Sequence, residues 1–173
     1  MVYALLTVAL IILYMIGPMN GFDSVCHAFS TMSTGGFSTR QASLGAWDSL
    51  YIKIVTMVFM FVGGVNFALI FKVSTGEFKS VWHNEVFRLY VKVILSLFVL
   101  FDLSLAFNSA VVPTWETFTI DPLFQIISTM SSTGYTVAHL GDWGLFILCL
   151  IFLMMFFGAC AGSTSGGAKL DRA

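Results

Sequence analysis

The sequence predicts an all-α integral membrane protein made of two repeated units, each a transmembrane helix, a re-entrant pore helix, a filter-like polar string and a second transmembrane helix. Three observations predict it. The 173-residue chain is 58% hydrophobic and only 10% charged, with a mean hydropathy of +0.91, whereas a soluble domain carries about a quarter charged residues. Four long apolar runs are separated by short polar stretches. The string STMSTGGFST at 30–39 returns as STMSSTGYTV at 128–137.

The first run, Val2–Ile16, is apolar throughout and stops at Gly17-Pro18. It has no basic n-region and no small-residue cleavage site, so it reads as a membrane segment rather than a signal peptide. It is short for a span, and further residues are expected upstream. Leu50–Phe71 forms the second run; its 22 residues would reach about 33 Å as one helix. Val73–Glu85 is a polar connection, followed by the third run, Phe87–Val112, which Pro113 ends. Trp143–Phe157 is the fourth and breaks into GACAGSTSGGAK at 158–169.

Two shorter segments, Asp23–Met32 (DSVCHAFSTM) and Asp121–Met130 (DPLFQIISTM), lie between the paired runs. At about ten residues each they are too short to cross. Asp23 and Asp121 are expected to cap their N-termini, with Pro122 at the first helical position. Both segments read as half-length helices that enter the membrane and turn back.

The halves are one unit used twice. Asp23 and Asp121, Ser30 and Ser128, Met32 and Met130, Gly36 and Gly134, and Phe37 and Tyr135 are all 98 positions apart. The offset slips to 96 at Trp47 and Trp143, and to 95 at Gly63 and Gly158. Internal repeats of this kind are common in transport proteins. The expected division is a first unit at 1–72, a connecting loop at 73–86 and a second unit at 87–173.

Positive charge sets the orientation. Lys72, Lys79, Arg88, Lys92, Lys169 and Arg172 fall on one side, Arg40 and Lys53 on the other. The richer side is expected in the cytoplasm, so residues 72–92 and the C-terminus face inward and the half-helices dip in from outside.

Irregular backbone at membrane depth must be buried in protein or line water. A string of Ser, Thr and Gly has little side chain to hide its carbonyls, and Gly36 and Gly134 can take conformations other residues resist. Successive C=O groups turned toward one axis can replace the hydration shell of a monovalent cation. Each half-helix would aim the negative end of its dipole inward, which suits a cation. One such string alone would read equally well as a close-packed loop; two, each behind a half-helix and between spans, favour a pore.

STMSTGGFST and STMSSTGYTV resemble the filter segments of the TrkH/KtrB/HKT potassium transporter family. GACAGSTSGGAK resembles that family's hallmark Gly-rich segment, and VGGVNFAL at 62–69 resembles one of its helix ends. The resemblance covers essentially the whole chain. It implies a potassium-channel-like pore of four membrane–pore–membrane units, of which this chain matches the second and third. It places the selectivity glycines at Gly36 and Gly134, with backbone ligands for K+ from Thr34, Gly35, Ser132 and Thr133 beside them. It makes 158–169 an unwound gate loop under the filter, with Gly158, Gly162, Ser163, Thr164, Gly166, Gly167 and Lys169. Ala159, Ser165 and Ala168 stand where the family often has glycine, which would stiffen that loop. Two units rather than four imply a piece of a longer protein, or else a half-size subunit whose dimer rebuilds four strings. The resemblance further implies a bacterial inner (plasma) membrane location, a homodimer and a cytosolic nucleotide-binding regulatory subunit of the TrkA/KtrA type.

The remaining residues point elsewhere less strongly. Cys26, Cys149 and Cys160 suit neither a disulfide framework nor a zinc site. The net charge of −1 and the lack of a basic patch argue against nucleic acid, leaving membrane lipid as the general environment. Asp102, inside the third run, is expected to meet a partner or a watery edge. His27 is expected to pack or hydrogen-bond, Asn66 and Asn108 to satisfy nearby backbone, and Trp47, Trp115 and Trp143 to lie in the interfacial aromatic belt. The expected function is potassium uptake through a carbonyl filter, with no enzymatic chemistry and no cofactor beyond the transported K+. Sodium or non-selective cation permeation is the alternative; a membrane-embedded enzyme using Asp23, His27, Asp102 and Asp121 is a different-class one.

Overall fold

A computed structural model describes residues 2–74, 82–107 and 114–169. The fold is mostly helical: α1 Val2–Ile16, α2 Gly21–Met32, α3 Leu50–Gly64, α4 Phe67–Ser74, α5 Glu85–Ala106, α6 Trp115–Met130 and α7 Leu145–Met154. Short 3-10 turns at Ser43–Ala46 and Leu140–Trp143 precede α3 and α7. Phe157–Gly158 (β1) and Ala168–Lys169 (β2) form a small parallel pair, with Phe157 opposite Ala168. Lys79, Asn108, Pro113 and Arg172, and half of the 73–86 connection, lie outside the described residues.

The two halves pack alike. Helix α2 lies against α1 and α3, and α6 lies against α5 and α7. In addition α6 packs on α3, so the second half-helix leans on the first half of the chain. Buried Leu10, Tyr14, Ile52, Met60, Phe101, Phe124 and Ile147 belong to one continuous core. Tyr14 adds a polar clamp inside it: its hydroxyl lies 2.8 Å from Thr56 Oγ1 and 3.2 Å from Thr31 Oγ1, tying α1, α3 and α2 together.

Several sequence expectations need correction. Among the described residues, only α5, with 22 residues and a mean hydropathy of 2.1 over its most apolar stretch, is a single helix long and apolar enough to cross a membrane. The 50–71 run is not one straight helix. It breaks after Gly64, and α3 meets α4 at 110°. Gly63-Gly64 weakens the helix, Val65 is extended (φ −84°, ψ 150°), and Asn66 Oδ1 accepts the Ala68 N–H at 2.8 Å to start α4. The fourth run is helical only over Leu145–Met154, about 15 Å. Trp143, placed by sequence at an interface, is 5% exposed and meets Phe101 edge-on, with ring centroids 6.2 Å apart.

The caps also differ. Helix α2 starts two residues before Asp23, and its N-cap is Asn20, whose side chain accepts the Asp23 N–H at 2.7 Å. Helix α6 starts six residues before Asp121, from a capping box of Thr114 and Thr117. Asp121 and Pro122 are therefore interior. The proline removes the bond that would run back to the Phe118 carbonyl. Neither aspartate caps its helix; both carboxylates are used sideways.

Candidate functional site

Both half-helices end in the same way. At the end of α2, the Thr34 N–H donates to Thr31 O (3.1 Å) and the Gly35 N–H to Ser30 O (2.8 Å). At the end of α6, Ser132 N–H donates to Thr129 O (2.9 Å) and Thr133 N–H to Ser128 O (2.9 Å). These are the two bonds of a Schellman motif, which calls for a left-handed residue, usually glycine. Here the position is filled by Thr34 (φ 51°) and Ser132 (φ 59°). Two residues on, Gly36 (φ 69°) and Gly134 (φ 84°) are left-handed again, while Gly35 and Thr133 are not. The sign of φ therefore alternates through 34–36 and through 132–134. Alternating hand lines up like groups of successive peptides on one side of the chain. The N–H groups of Thr34 and Gly35, and of Ser132, Thr133 and Gly134, are used on helix carbonyls.

The two strings meet. A Cβ on Gly36 would lie 1.8 Å from the Thr133 carbonyl oxygen, so only glycine fits. A Cβ on Gly134 would meet nothing within 4 Å. Gly134 instead borders a cavity of about 370 Å³ lined by Gln125, Thr129, Ser132 and Thr136. The strings are braced from behind: Ser128 Oγ donates to Tyr135 O at 2.7 Å, and the Tyr135 hydroxyl donates to Phe37 O at 3.3 Å. On the outer side, Gly45 N–H donates to Thr136 O at 3.2 Å.

The two aspartates anchor the assembly. Asp23 accepts from Thr39 Oγ1 at 2.5 Å and pairs with Arg40 at 3.3 Å. The Thr39 hydrogen bond, followed by the Arg40 contact, holds the Asp23 carboxyl below the usual carboxylate range despite its burial. His27 lies one turn on: its Nδ1 is 2.7 Å from Asp23 O and its Nε2 2.9 Å from Ser38 Oγ. Donation from Nδ1 to the carbonyl leaves Nε2 to accept from Ser38. Burial pushes the imidazole pKa down, which keeps it neutral. Asp121 pairs instead with Lys53 of α3, at 2.9 Å. The acidic residues suggested for an enzyme are thus committed to cations and hydroxyls, apart from Asp102. Its Oδ1 is buried and has no hydrogen-bond partner among the described residues, while the residue as a whole is only half-buried.

The 158–169 loop runs beneath both strings and through the α3–α4 break. Gly63 O accepts the Thr164 N–H (3.3 Å) and hydroxyl (3.1 Å), Gly64 O accepts the Cys160 N–H (3.1 Å), and Gly162 O accepts the Phe67 N–H (3.1 Å). The backbone groups freed by the break are thereby satisfied, as buried backbone requires. Gly158 is needed for close approach: a Cβ there would lie 2.0 Å from Gly166 O. Gly162 and Gly167 are left-handed. Ser163 Oγ is 2.8 Å from Ser165 Oγ, and Lys169 Nζ turns back to Ser165. Cys26, Cys149 and Cys160 form no disulfide among the described residues.

Sequence reasoning missed three elements of this site. One is Lys53, counted only as an outer charge, although a lysine in an apolar run needs a partner. The others are Ser43 (φ 53°), whose hydroxyl accepts the Thr136 N–H, and the Thr34 and Ser132 hydroxyls, which reach the loop.

Two helices, α2 and α6, ending in matched strings over one shared loop define a mostly helical protein built on an internal repeat. The chain belongs to the family described as TrkH, cation transport protein, which matches residues 1–173. The Trk system potassium uptake protein TrkH of Salmonella typhimurium is 36% identical over 173 residues, 99% of this chain and 36% of that protein. Its namesake in Vibrio parahaemolyticus is 36% identical over 174 residues, with the same coverage. The Trk system potassium uptake protein TrkI of Halomonas elongata is 28% identical over 172 residues, 99% of this chain and 34% of that protein. The crystal structure of the potassium transporter TrkH from Vibrio parahaemolyticus superposes with a TM-score of 0.91 at 35% identity, over 97% of this chain and 36% of that one. The chain therefore spans about a third of the length of these relatives.

Proposed function

We propose that this chain is the central part of a potassium-uptake transporter, and that K+ crosses the plasma membrane between its two strings, held by main-chain oxygens. In this reading 1–72 and 87–173 are two membrane–pore–membrane units joined by a cytoplasmic loop at 73–86. The C-terminus is cytoplasmic too, and the strings face outside. Thr34, Gly35, Gly36, Ser132, Thr133 and Gly134 supply the ligands, and 158–169 is the gate. The transporter works as a homodimer in a bacterial inner membrane, with a nucleotide-binding regulatory subunit on its cytosolic side.

The observation that carries the reading is the matched alternation of φ at 34–36 and 132–134, with Gly36 packed on the Thr133 carbonyl. With the N–H groups of Thr34, Gly35, Ser132, Thr133 and Gly134 taken by helix carbonyls, the strings' own carbonyls are left to offer a dehydrated cation. The helix C-termini that end there carry partial negative charge. No covalent step is needed.

The test is rubidium uptake by proteoliposomes of the full-length transporter, with potassium and sodium as competitors. Potassium is expected to compete and sodium to compete poorly, and Gly134→Ser is expected to narrow that difference. Folded transporter that takes up no rubidium, or in which Gly134→Ser leaves cation preference intact, overturns the reading.

A further inference from the structure

We propose that the hydroxyls of Thr34 and Ser132 are paired latches that tie the 158–169 loop to the base of the two strings, Thr34 being the one that holds or releases it. The inference rests on the pore reading above and concerns how that pore is closed.

The two residues occupy the same place in the two halves, 98 positions apart, and both are left-handed. A β-branched threonine is a poor choice there, where glycine carries no steric penalty. What the side chain supplies is a donor. Thr34 Oγ1 donates to Thr164 O at 2.9 Å, and Ser132 Oγ donates to Gly166 O at 3.4 Å. The two acceptors are two residues apart on one loop, so symmetric positions of the strings grip neighbouring points of it. Thr164 is also fastened to the Gly63 carbonyl at the end of α3, which makes the Thr34 contact the tighter junction of string, loop and helix.

Thr34 has a second acceptor. Its Oγ1 lies 2.7 Å from Ser33 O as well. A hydroxyl carries one proton, so the donor given to Ser33 is withdrawn from Thr164. Donation to Thr164 holds the loop under the strings; donation to Ser33 keeps the hydroxyl satisfied while the loop is free to leave. The released hydroxyl is therefore not orphaned; what opening forfeits is the bond to the Thr164 carbonyl that ties loop to string. Ser132 has the longer bond and contributes less.

The experiment compares Thr34→Val, Thr34→Ser and Ser132→Ala in the full-length transporter. The readouts are resting rubidium flux in proteoliposomes and the rate at which N-ethylmaleimide modifies Cys160, which lies within the loop and is 1% exposed. Thr34→Val keeps the branched shape without the donor and is expected to raise both by about 3- to 10-fold, the scale of one lost hydrogen bond. Thr34→Ser, which restores the donor, is expected to fall back toward wild type, and Ser132→Ala to give a smaller rise. If Thr34→Val matches wild type in both readouts, or Thr34→Ser behaves like Thr34→Val, the latch is wrong. If Thr34→Val does not fold, Ser132→Ala decides: no rise in either readout overturns the proposal. Absence of rubidium flux in the wild type would instead refute the pore reading.

Discussion

Lys53 and Asp121 form a buried ion pair between the two halves of the chain, Nζ to Oδ1 at 2.9 Å, with side chains 9% and 8% exposed. Glu116, 43% exposed, holds the same ammonium at 3.0 Å. Asp23, the repeat partner of Asp121, is served by Arg40 of its own half. One position in the repeat is thus neutralised locally in the first half and across the α3–α6 contact in the second. This fixes the second half-helix to the first half of the protein.

Lys53→Met is therefore expected to leave Asp121 buried without a counter-charge and to destabilise the fold by about 3 kcal/mol or more. The double variant Lys53→Met/Asp121→Leu should recover most of that loss, because neither charge is then buried. Glu116→Gln should cost less than about 1 kcal/mol, since its carboxylate is half in solvent. Thermal unfolding of the detergent-solubilised transporter separates the three. A double variant as unstable as the single one would contradict the argument.

The two string glycines, Gly36 and Gly134, are expected to respond differently to the same change. Gly36 and Gly134 are both left-handed, so any side chain costs about 1–2 kcal/mol in backbone strain. At Gly36 the new Cβ also strikes the Thr133 carbonyl at 1.8 Å, whereas at Gly134 it enters open space. Gly36→Ala should lower the yield of monodisperse protein, and Gly134→Ala should fold. Equal yields by size-exclusion chromatography would mean that the strings do not meet as described.

The repeat was legible because its markers are local: Gly36 and Gly134 kept their offset, and the same offset links the left-handed Thr34 and Ser132. What stayed hidden depended on distant partners or on weaker local competitors. Asp23 and Asp121 look like caps, yet Asn20 and the Thr114–Thr117 box lie upstream and win. The 50–71 run reads as one helix because apolar residues continue on both sides of Gly63-Gly64 and Asn66. Its break at Val65 is stabilised by backbone bonds from Cys160, Gly162 and Thr164, about a hundred positions away. Lys53 carried a visible signal, but its partner lay 68 positions on and no periodicity points to it.

The loop offers a second contrast between glycines. Gly158 packs so that a Cβ would fall 2.0 Å from Gly166 O, a backbone atom that cannot swing aside. Gly166 itself has its nearest such neighbour at 3.8 Å, an ordinary contact. Gly158→Ala is expected to force β1 and β2 apart and lower the unfolding temperature by several degrees. Gly166→Ala should change it little. Thermal unfolding in matched detergent checks both, and a tolerant Gly158 would show that the two short strands are not held together.

Acid is expected to loosen the N-terminal end of α2 through Asp23. The Thr39 hydrogen bond and the Arg40 contact lower its carboxyl pKa in the folded state. A group whose folded value lies below its unfolded value stabilises the fold fully above the unfolded value, about 3.9 for aspartate. That contribution is lost as the pH falls below this value and through the depressed one. The unfolding temperature measured from about pH 7 down to about pH 3 should therefore drop at its acid end in the wild type. Asp23→Asn should start lower and lose that part of the slope. Thr39→Val removes the largest cause of the shift and should move the loss up toward the ordinary carboxylate range. An acid limb identical in all three proteins would show that Asp23 does not hold the strand after the first string to its helix.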